Sequence, residues 1–143
     1  MKAPVLHGRR SMAFDEVPEP EPGPGEVLLS VGLCGICGSD LHLYDSPMAP
    51  DGIVMGHEFG ATVMSAGAGV EGWRAGDRVV ATMPEPCLDC TFCRSGELDM
   101  CYQHYRLEGR GTEDSPAETA LGSYGYAPLL KMAVQRLLRI PDE

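Results

Sequence analysis

Four closely spaced cysteines are the strongest chemical signal in the sequence. Cys87, Cys90, Cys93 and Cys101 have the spacing C-x2-C-x2-C-x7-C, in which two short steps place three thiolates on one turn and a longer step returns the fourth. Four thiolates suit the tetrahedral coordination of structural zinc. Because protein ligands fill every position of such a site, it contributes folding energy and leaves no position for a substrate. We predict a structural-zinc lobe at about residues 84–107, where apolar residues are too few for a separate core.

An iron–sulfur cluster is the alternative occupant of these cysteines. The bacterial ferredoxin motif also begins with C-x2-C-x2-C, but it closes after three further residues with Cys-Pro. Here seven residues precede the last cysteine, Cys101, and Tyr102 follows it. Zinc is therefore preferred. An iron–sulfur carrier stays an alternative function, which a colourless purified protein would exclude.

Two glycine-flanked segments carry a second set of side chains that bind metals. Residues 35–42 read GICGSDLH and contribute the thiol of Cys37, and residues 56–60 read GHEFG and contribute His57 and Glu58. Glycine allows the backbone to come close to an ion. A single cysteine is usually a small buried hydrophobe, and a single histidine is more often a structural group than a ligand. The combination of thiolate, imidazole and carboxylate is what indicates a metal site.

In this order, the two segments and the four-cysteine lobe resemble the N-terminal GroES-like catalytic domain of the medium-chain zinc-dependent alcohol dehydrogenases. The resemblance extends over about residues 2–141. It implies a mainly β fold, with a partly open GroES-like barrel, a structural-zinc lobe and few short helices. It also implies that the full-length protein transfers hydride between an alcohol or polyol and NAD(P), with zinc as the Lewis acid. The first segment is more similar to the polyol, threonine and formaldehyde branches than to the liver-type enzymes.

The resemblance implies the ligands of a catalytic zinc ion. Cys37 and His57 are expected to bind it, with Glu58 as an exchangeable or water-bridged ligand. A catalytic zinc keeps one position open, where an alcohol binds and its pKa falls. In the family, the remaining protein ligand is a cysteine or an acidic residue beyond position 143 of this chain. With two zinc ions per full-length subunit, we expect the structural one to bind here and the catalytic one to bind weakly or not at all.

Three neighbouring polar residues receive supporting roles from the same resemblance. Asp40 is expected to orient His57 from outside the ligand set, by accepting the second ring N–H of that histidine. Ser39 is expected to hydrogen-bond the substrate hydroxyl. His42 is expected to help transfer the proton of that hydroxyl to solvent.

The remaining cysteine and histidine residues receive structural interpretations. Cys34 stands three residues before Cys37, and we interpret it as a buried, unreactive thiol instead of one half of a redox pair. His7 and His104 have no neighbouring partner pattern and are interpreted as surface or core groups.

The bulk composition fits one domain without a nucleic-acid partner. The 143 residues suffice for a single core, so we expect one domain over residues 1–143. Eleven basic and twenty-one acidic residues give a net charge of −10, which repels phosphate backbones and anionic lipid. No apolar run approaches the ~20 residues that cross a bilayer, and the N-terminus has no signal-peptide pattern. We expect a cytoplasmic protein with a small-molecule alcohol or carbonyl substrate and no membrane partner.

One glycine-rich segment, residues 67–72, matches the dinucleotide-binding fingerprint G-x-G-x-x-G. That fingerprint requires a helix at its end and an acidic residue ~20 positions further on. Residues 73–79 instead read WRAGDRV, a turn that leads into a strand. The segment is therefore predicted to be a β-turn, and the resemblance places the Rossmann nucleotide-binding domain beyond residue 143. We expect the chain alone to be inactive and the full-length protein to be a homo-oligomer that binds NAD(P).

Short β-rich segments must position these residues, because eighteen glycines and twelve prolines interrupt the chain. Strands are predicted at residues 27–31, 62–66 and 78–82, and the last two are expected to form a hairpin-like pair. A short helix is predicted at residues 40–44, with Ser39 as its N-cap. Residues 129–134 and 137–140 fit either strands or one amphipathic helix, because periodicity does not decide between them.

A non-enzymatic zinc module that binds a partner through the lobe is the second alternative function. Zinc stoichiometry separates it from the dehydrogenase. One ion at the four cysteines, with none at Cys37 and His57, would favour the module.

Overall fold

The computed structural model describes residues 1–82, 89–97, 100–101 and 124–141. Within these ranges the strands are β1 (Lys2–His7), β2 (Met12–Glu16), β3 (Glu26–Gly35), β4 (Asp51–Ile53), β5 (Glu58–Ala66), β6 (Arg78–Ala81), β7 (Leu129–Ala133) and β8 (Leu137–Arg139). The helices are α1 (Gly38–Asp45) and α2 (Thr91–Arg94). The described strands form two open sheets, which confirms the predicted mainly β, partly open fold with few short helices. Neither described helix has the length and apolar character needed to cross a membrane.

The larger sheet has the strand order β7-β3-β5-β6-β8, and every neighbouring pair is antiparallel. Side chains of successive strand residues point to opposite faces, so every second residue can face the core. Val27 and Leu29 of β3 are fully buried in this way, beside Val63 of β5 and Val79 of β6. The three predicted strands are confirmed, and β5 and β6 pair as expected. Strand β5 begins at Glu58, four residues before the predicted start.

The C-terminal segment consists of strands and not of a helix. Strand β7 pairs with β3, with Leu130 opposite Leu29, and β8 pairs with β6. A single 3-10 turn, Val134–Arg136, separates the two strands. Leu130, Met132 and Leu137 are buried in the main core. Pairing with β3 and β6 therefore decides what the local periodicity left open.

The glycine-rich segment after β5 is a turn, as predicted. The N–H of Gly67 donates to the carbonyl oxygen of Glu26 over 2.9 Å. A Cβ atom at Gly67 would collide with the carbonyl oxygen of Gly23, so no larger residue fits there. The chain then enters β6 at Arg78 and forms no helix at the end of the motif.

The predicted N-cap of α1 is wrong by two residues. The helix begins at Gly38, and Cys37 is its N-cap, instead of Ser39. The reason is Asp40 at the third helical position, whose Oδ2 accepts the backbone N–H of Cys37 over 2.9 Å. A carboxylate at this position satisfies an N–H that the helix itself leaves unpaired.

The smaller sheet has the strand order β2-β1-β4 and carries His7 at the end of β1. Nε2 of His7 lies 2.6 Å from Oδ2 of Asp15, which is on β2. Its Nδ1 lies 2.8 Å from Oδ1 of Asp51, which is on β4. The hydrogen bond with Asp15 and then that with Asp51 raise the pKa of His7. His7 is a surface group, as interpreted, but it has two partners that no sequence pattern indicated. His104 lies outside the described residues.

Candidate functional site

The pairing of β3 with β5 brings the two glycine-flanked segments together. Gly35, at the end of β3, lies opposite Glu58, the first residue of β5. Cys37 follows this pair by two residues, and His57 precedes it by one, so both side chains emerge at the same end of the sheet. One potential ligand atom from each of Cys37, His57 and Glu58 lies within 4.8 Å of the other two. The structure thus juxtaposes the three residue types that the sequence singled out.

Gly35 allows the carboxylate of Glu58 to approach the backbone of β3. A Cβ atom at Gly35 would lie 3.1 Å from Oε2 of Glu58 and 3.5 Å from its Cβ. This spacing is tighter than ordinary van der Waals contact for the carboxylate oxygen. The glycine therefore leaves the space that Glu58 occupies at the edge of the site.

The side chain of Asp40 contacts both glycine-flanked segments, through Cys37 of the first and His57 of the second. It is 5% exposed and is the buried charged side chain of the described residues. Its Oδ2 accepts the N–H of Cys37 at 2.9 Å and the hydroxyl of Tyr126 at 3.0 Å. Its Oδ1 lies 3.6 Å from Nδ1 of His57, a distance longer than a hydrogen bond but within ion-pair range. Asp40 thus faces Nδ1 of the ring and leaves Nε2 available on the other side.

Ser39 lies at the centre, whereas His42 does not. The hydroxyl of Ser39 is 3.4 Å from Nε2 of His57. His42 is exposed, three residues further along α1. The hydrogen bonds and ion pairs between described residues do not join it to Cys37, His57 or Glu58. Of the two residues that the family resemblance assigns to proton transfer, Ser39 therefore lies beside a candidate ligand, whereas His42 does not contact one among the described residues.

An open cleft of about 460 Å³ lies beside the ligand set. Its walls are formed by residues of the β5 start and of β6, namely His57, Glu58, Phe59, Val80 and Ala81. Two of the candidate ligands thus face a space that a small molecule can enter. The lining combines polar groups with an apolar wall, as small-molecule sites commonly do.

Cys34 lies next to the site, on β3, and is half-buried. Its Sγ is 3.5 Å from the carbonyl oxygen of Gly35. Partial burial raises the pKa of the Cys34 thiol, and the negative charges of Asp40 and Glu58 act in the same direction. A raised pKa keeps the thiol protonated, and the thiol is less nucleophilic than a thiolate. These features agree with an unreactive thiol, but the prediction of a buried residue is wrong, because Cys34 is half-buried near the end of β3.

A second set of sulfur atoms lies in the predicted lobe. Cys90, Cys93 and Cys101 are all buried, and their sulfur atoms lie within 4.8 Å of one another. Cys90 is the N-cap of α2, and its Sγ accepts the N–H of Cys93 over 3.5 Å. Cys87, the fourth predicted ligand, lies outside the described residues. The three described cysteines are arranged as a metal site would require.

Tyr126 belongs to the site but was not found from the sequence. It precedes β7 and reaches Asp40, from which 86 residues separate it. Burial raises the pKa of Tyr126 well above its ordinary value, and the hydrogen bond and charge of Asp40 raise it further. The nearest sequence signal was the run Tyr124-Gly125-Tyr126, which marks a tight turn but not a partner.

The open β domain with two separate sets of metal-binding side chains has the architecture predicted for a GroES-like dehydrogenase domain. The family model described as alcohol dehydrogenase GroES-like domain matches residues 23–142, and the chain belongs to that family. The family predicted from the motifs is thereby confirmed.

Individual relatives are dehydrogenases. The chain is 41% identical over 106 residues to the sorbitol dehydrogenase of Halalkalibacterium halodurans. These matched residues make up 71% of this chain and 31% of that protein. Among solved structures, alcohol dehydrogenase TADH from Thermus sp. ATN1 is 30% identical, with a TM-score of 0.79, over 99% of this chain and 40% of that one. A protein from Sinorhizobium meliloti 1021, described as a zinc-binding dehydrogenase and bound to NADP, is 29% identical, with a TM-score of 0.75. The match covers 98% of this chain and 38% of that one. The chain thus spans about a third of the length of its curated relative.

Proposed function

We propose that the chain is the zinc-binding catalytic domain of an NAD(P)-dependent alcohol or polyol dehydrogenase. The convergence of Cys37, His57 and Glu58 within 4.8 Å is the observation that carries this proposal. Membership in the alcohol dehydrogenase GroES-like family supports it, as does the similarity to a sorbitol dehydrogenase. Because the chain spans 31% of that relative, the nicotinamide site and the remaining zinc ligand are proposed to come from other residues of a longer polypeptide.

The side chains of the centre fit a zinc ion. Thiolate, imidazole and carboxylate are the donors that zinc prefers, and a catalytic site keeps one position open. We assign Cys37 and His57 as firm ligands. Glu58 is the exposed member and is assigned as the exchangeable one. Zinc bound here supplies the Lewis acidity that lowers the pKa of an alcohol.

The other residues of the centre hold and move protons. Asp40 keeps a proton on Nδ1 of His57, so that Nε2 carries the lone pair that binds metal. The hydroxyl of Ser39, beside Nε2 of His57, is placed to accept the proton of the substrate alcohol. His42, exposed on α1, is proposed to help pass that proton to solvent. The open cleft beside His57 and Glu58 admits the substrate.

The cysteine lobe is proposed to bind a structural zinc ion. Three buried sulfur atoms of Cys90, Cys93 and Cys101 support this assignment, and Cys87 is assigned as the fourth ligand. We also propose that residues 1–143 form one domain, with the lobe at about residues 84–107 as its extension. The full-length enzyme is proposed to be a homo-oligomer.

Metal stoichiometry tests the two sites separately. We expect the longer polypeptide, loaded with Co²⁺ in place of Zn²⁺, to bind two ions per subunit when the metal is in excess. Cys37→Ser should remove one ion and Cys93→Ser the other, because each variant removes a ligand of one set only. A single ion at the cysteine lobe would instead favour the non-enzymatic module, and an iron-containing coloured protein would favour the iron–sulfur carrier.

Activity tests the enzymatic part of the proposal. The longer polypeptide, loaded with zinc, is expected to oxidise primary or secondary alcohols or polyols with NAD or NADP. Residues 1–143 alone are expected to show no turnover. Turnover by these residues alone would contradict the proposal, and so would a longer enzyme in which His57→Ala leaves activity unchanged.

A further inference from the structure

The hydroxyl of Tyr126 donates a hydrogen bond to the buried carboxylate beneath the candidate metal centre. The distance from the Tyr126 hydroxyl to Oδ2 of Asp40 is 3.0 Å. The same oxygen accepts the N–H of Cys37 at 2.9 Å, and the other oxygen faces Nδ1 of His57 at 3.6 Å. Tyr126 therefore contacts a side chain that is connected to both firm candidate ligands.

The two residues that precede His57 fix the position of Tyr126. The N–H of Tyr126 donates to the carbonyl oxygen of Met55 at 3.0 Å, and the N–H of Gly125 donates to that of Gly56 at 2.8 Å. Gly56 has φ +95, and a Cβ atom there would lie 2.6 Å from Cδ1 and 2.9 Å from Cε1 of Tyr126. The ring thus rests directly on the glycine that precedes His57.

The ring also joins two parts of the apolar core. Tyr126 packs against the cluster that contains Val54 and Ala127, and against the cluster that contains Ile53 and Met55. A ring held by two clusters and by a glycine has little freedom to move its hydroxyl away from Asp40. Because the phenol is partly buried beside a carboxylate, it stays protonated at neutral pH and acts as the donor.

We propose that Tyr126 is a positioning residue of the metal centre, which fixes the Asp40 carboxylate so that it holds Cys37 and the ring of His57 in the arrangement that binds metal. This inference rests on the proposed function, because it requires a metal ion at Cys37 and His57. Residues behind metal-bound histidines commonly change metal affinity by about 10- to 100-fold. Tyr126 acts through Asp40, so we expect an effect near the lower end, about ten-fold.

Tyr126→Phe tests the proposal, because it keeps the ring on Gly56 and removes only the hydroxyl. The matched control is Tyr44→Phe, which removes a hydroxyl on α1 that donates over the same 3.0 Å to the carbonyl oxygen of Arg10, at the protein surface. The Co²⁺ affinity of the longer polypeptide is measured by chelator competition. The absorption of Co²⁺ at the cysteine-lobe site serves as an internal reference for folding. We expect Tyr126→Phe to weaken Co²⁺ binding at the Cys37 site about ten-fold. Neither the lobe site nor Tyr44→Phe should show this loss.

A double-mutant cycle separates positioning from general stability. In an Asp40→Asn background, Tyr126→Phe should weaken Co²⁺ binding no further, because the tyrosine acts through the carboxylate. Additive losses would overturn the proposal, and so would equal Co²⁺ affinity in wild type and Tyr126→Phe. If the wild-type longer polypeptide binds an ion at the lobe only, the proposed function fails as well, so the two failures are distinguishable.

Discussion

The two candidate metal sites are built in opposite ways. The lobe has its three described candidate ligands at residues 90–101, all three are buried, and among the described residues Phe92 packs against them. The centre takes Cys37 and His57 from segments that are joined only through the pairing of β3 with β5, and its ligands remain partly accessible beside an open cleft. A local, buried set of cysteines suits the proposed structural role, whereas a set assembled by the sheet and open to solvent suits the proposed catalytic role.

The largest expected effect comes from the centre. In the longer enzyme, His57→Ala should lower kcat/KM about 1000-fold, because a Lewis acid supplies several kcal/mol of transition-state stabilisation. The melting temperature should change little, since His57 is not part of the core clusters. Steady-state kinetics and a thermal melt measure the two quantities. If His57→Ala greatly lowered the melting temperature but left kcat/KM unchanged, the centre would have a structural role instead of a catalytic one.

The cysteine lobe should show the opposite pattern. Cys93→Ser is expected to lower the free energy of unfolding by several kcal/mol, because the binding free energy of structural zinc is folding free energy. Denaturant unfolding with and without a chelator measures this loss. Cys34→Ser is the matched control, since Cys34 is half-buried and belongs to neither ligand set. If Cys93→Ser were no more destabilising than Cys34→Ser, the lobe would not hold a structural ion.

A pair of glycines sharpens the difference by showing how far the centre depends on packing. Gly56 and Gly76 both have φ +95, but a Cβ atom would meet the Tyr126 ring at Gly56 and nothing within 4 Å at Gly76. Gly76→Ala should therefore destabilise the fold by about 1–3 kcal/mol through backbone strain alone. Gly56→Ala should add about 1–3 kcal/mol from overpacking and should weaken metal binding beside His57.

Denaturant unfolding and Co²⁺ affinity measure the two glycine variants. Equal destabilisation by Gly56→Ala and Gly76→Ala would show that the Tyr126 ring can move away from the added methyl group without lowering the free energy of unfolding. Unchanged Co²⁺ affinity in Gly56→Ala would show that the centre does not depend on this packing.

The smallest expected effect lies outside both sites, at His7. The pKa of His7 is raised from its ordinary value of 6.5 by Asp15 and Asp51. Protonated His7 therefore stabilises the folded state below about pH 6.5, and this contribution is lost as the pH rises through the raised pKa. The difference in melting temperature between wild type and His7→Asn should be larger at about pH 5.5 than at about pH 9. The same difference at both values would exclude the His7 ion pairs as a source of stability.

Local patterns predicted what depends on local spacing. The alternation in β3, β5 and β6 and the turn at residues 67–72 followed from neighbouring residues, and so did the proposed lobe ligands. The helix start did not, because a cysteine is not a usual N-cap and the deciding contact is the reach of Asp40 back to Cys37. The C-terminal strands stayed ambiguous because their alternative partners, β3 and β6, lie far away in sequence.

Tyr126 and His7 were out of reach for a related reason. The partners of each lie on other strands or loops, and Tyr126 is separated from Asp40 by 86 residues. No spacing rule in a single sequence encodes such a contact, since it arises only once the strand order is set. The family resemblance supplied the roles of Cys37, His57 and Glu58, and the β3–β5 register explains why those residues meet.

The register that places Gly35 opposite Glu58 also limits how this chain can vary over evolutionary time. An insertion or deletion of one residue early in β5 would turn each following side chain to the opposite face of the sheet, which would expose Val63, now buried, and turn its neighbours Thr62 and Met64 towards the core. Length changes between the two segments are thus best tolerated in the loop at residues 46–50, which lies between α1 and β4. Substitutions can accumulate within the strands, but their residue count is constrained by the candidate metal centre at one end and the core at the other.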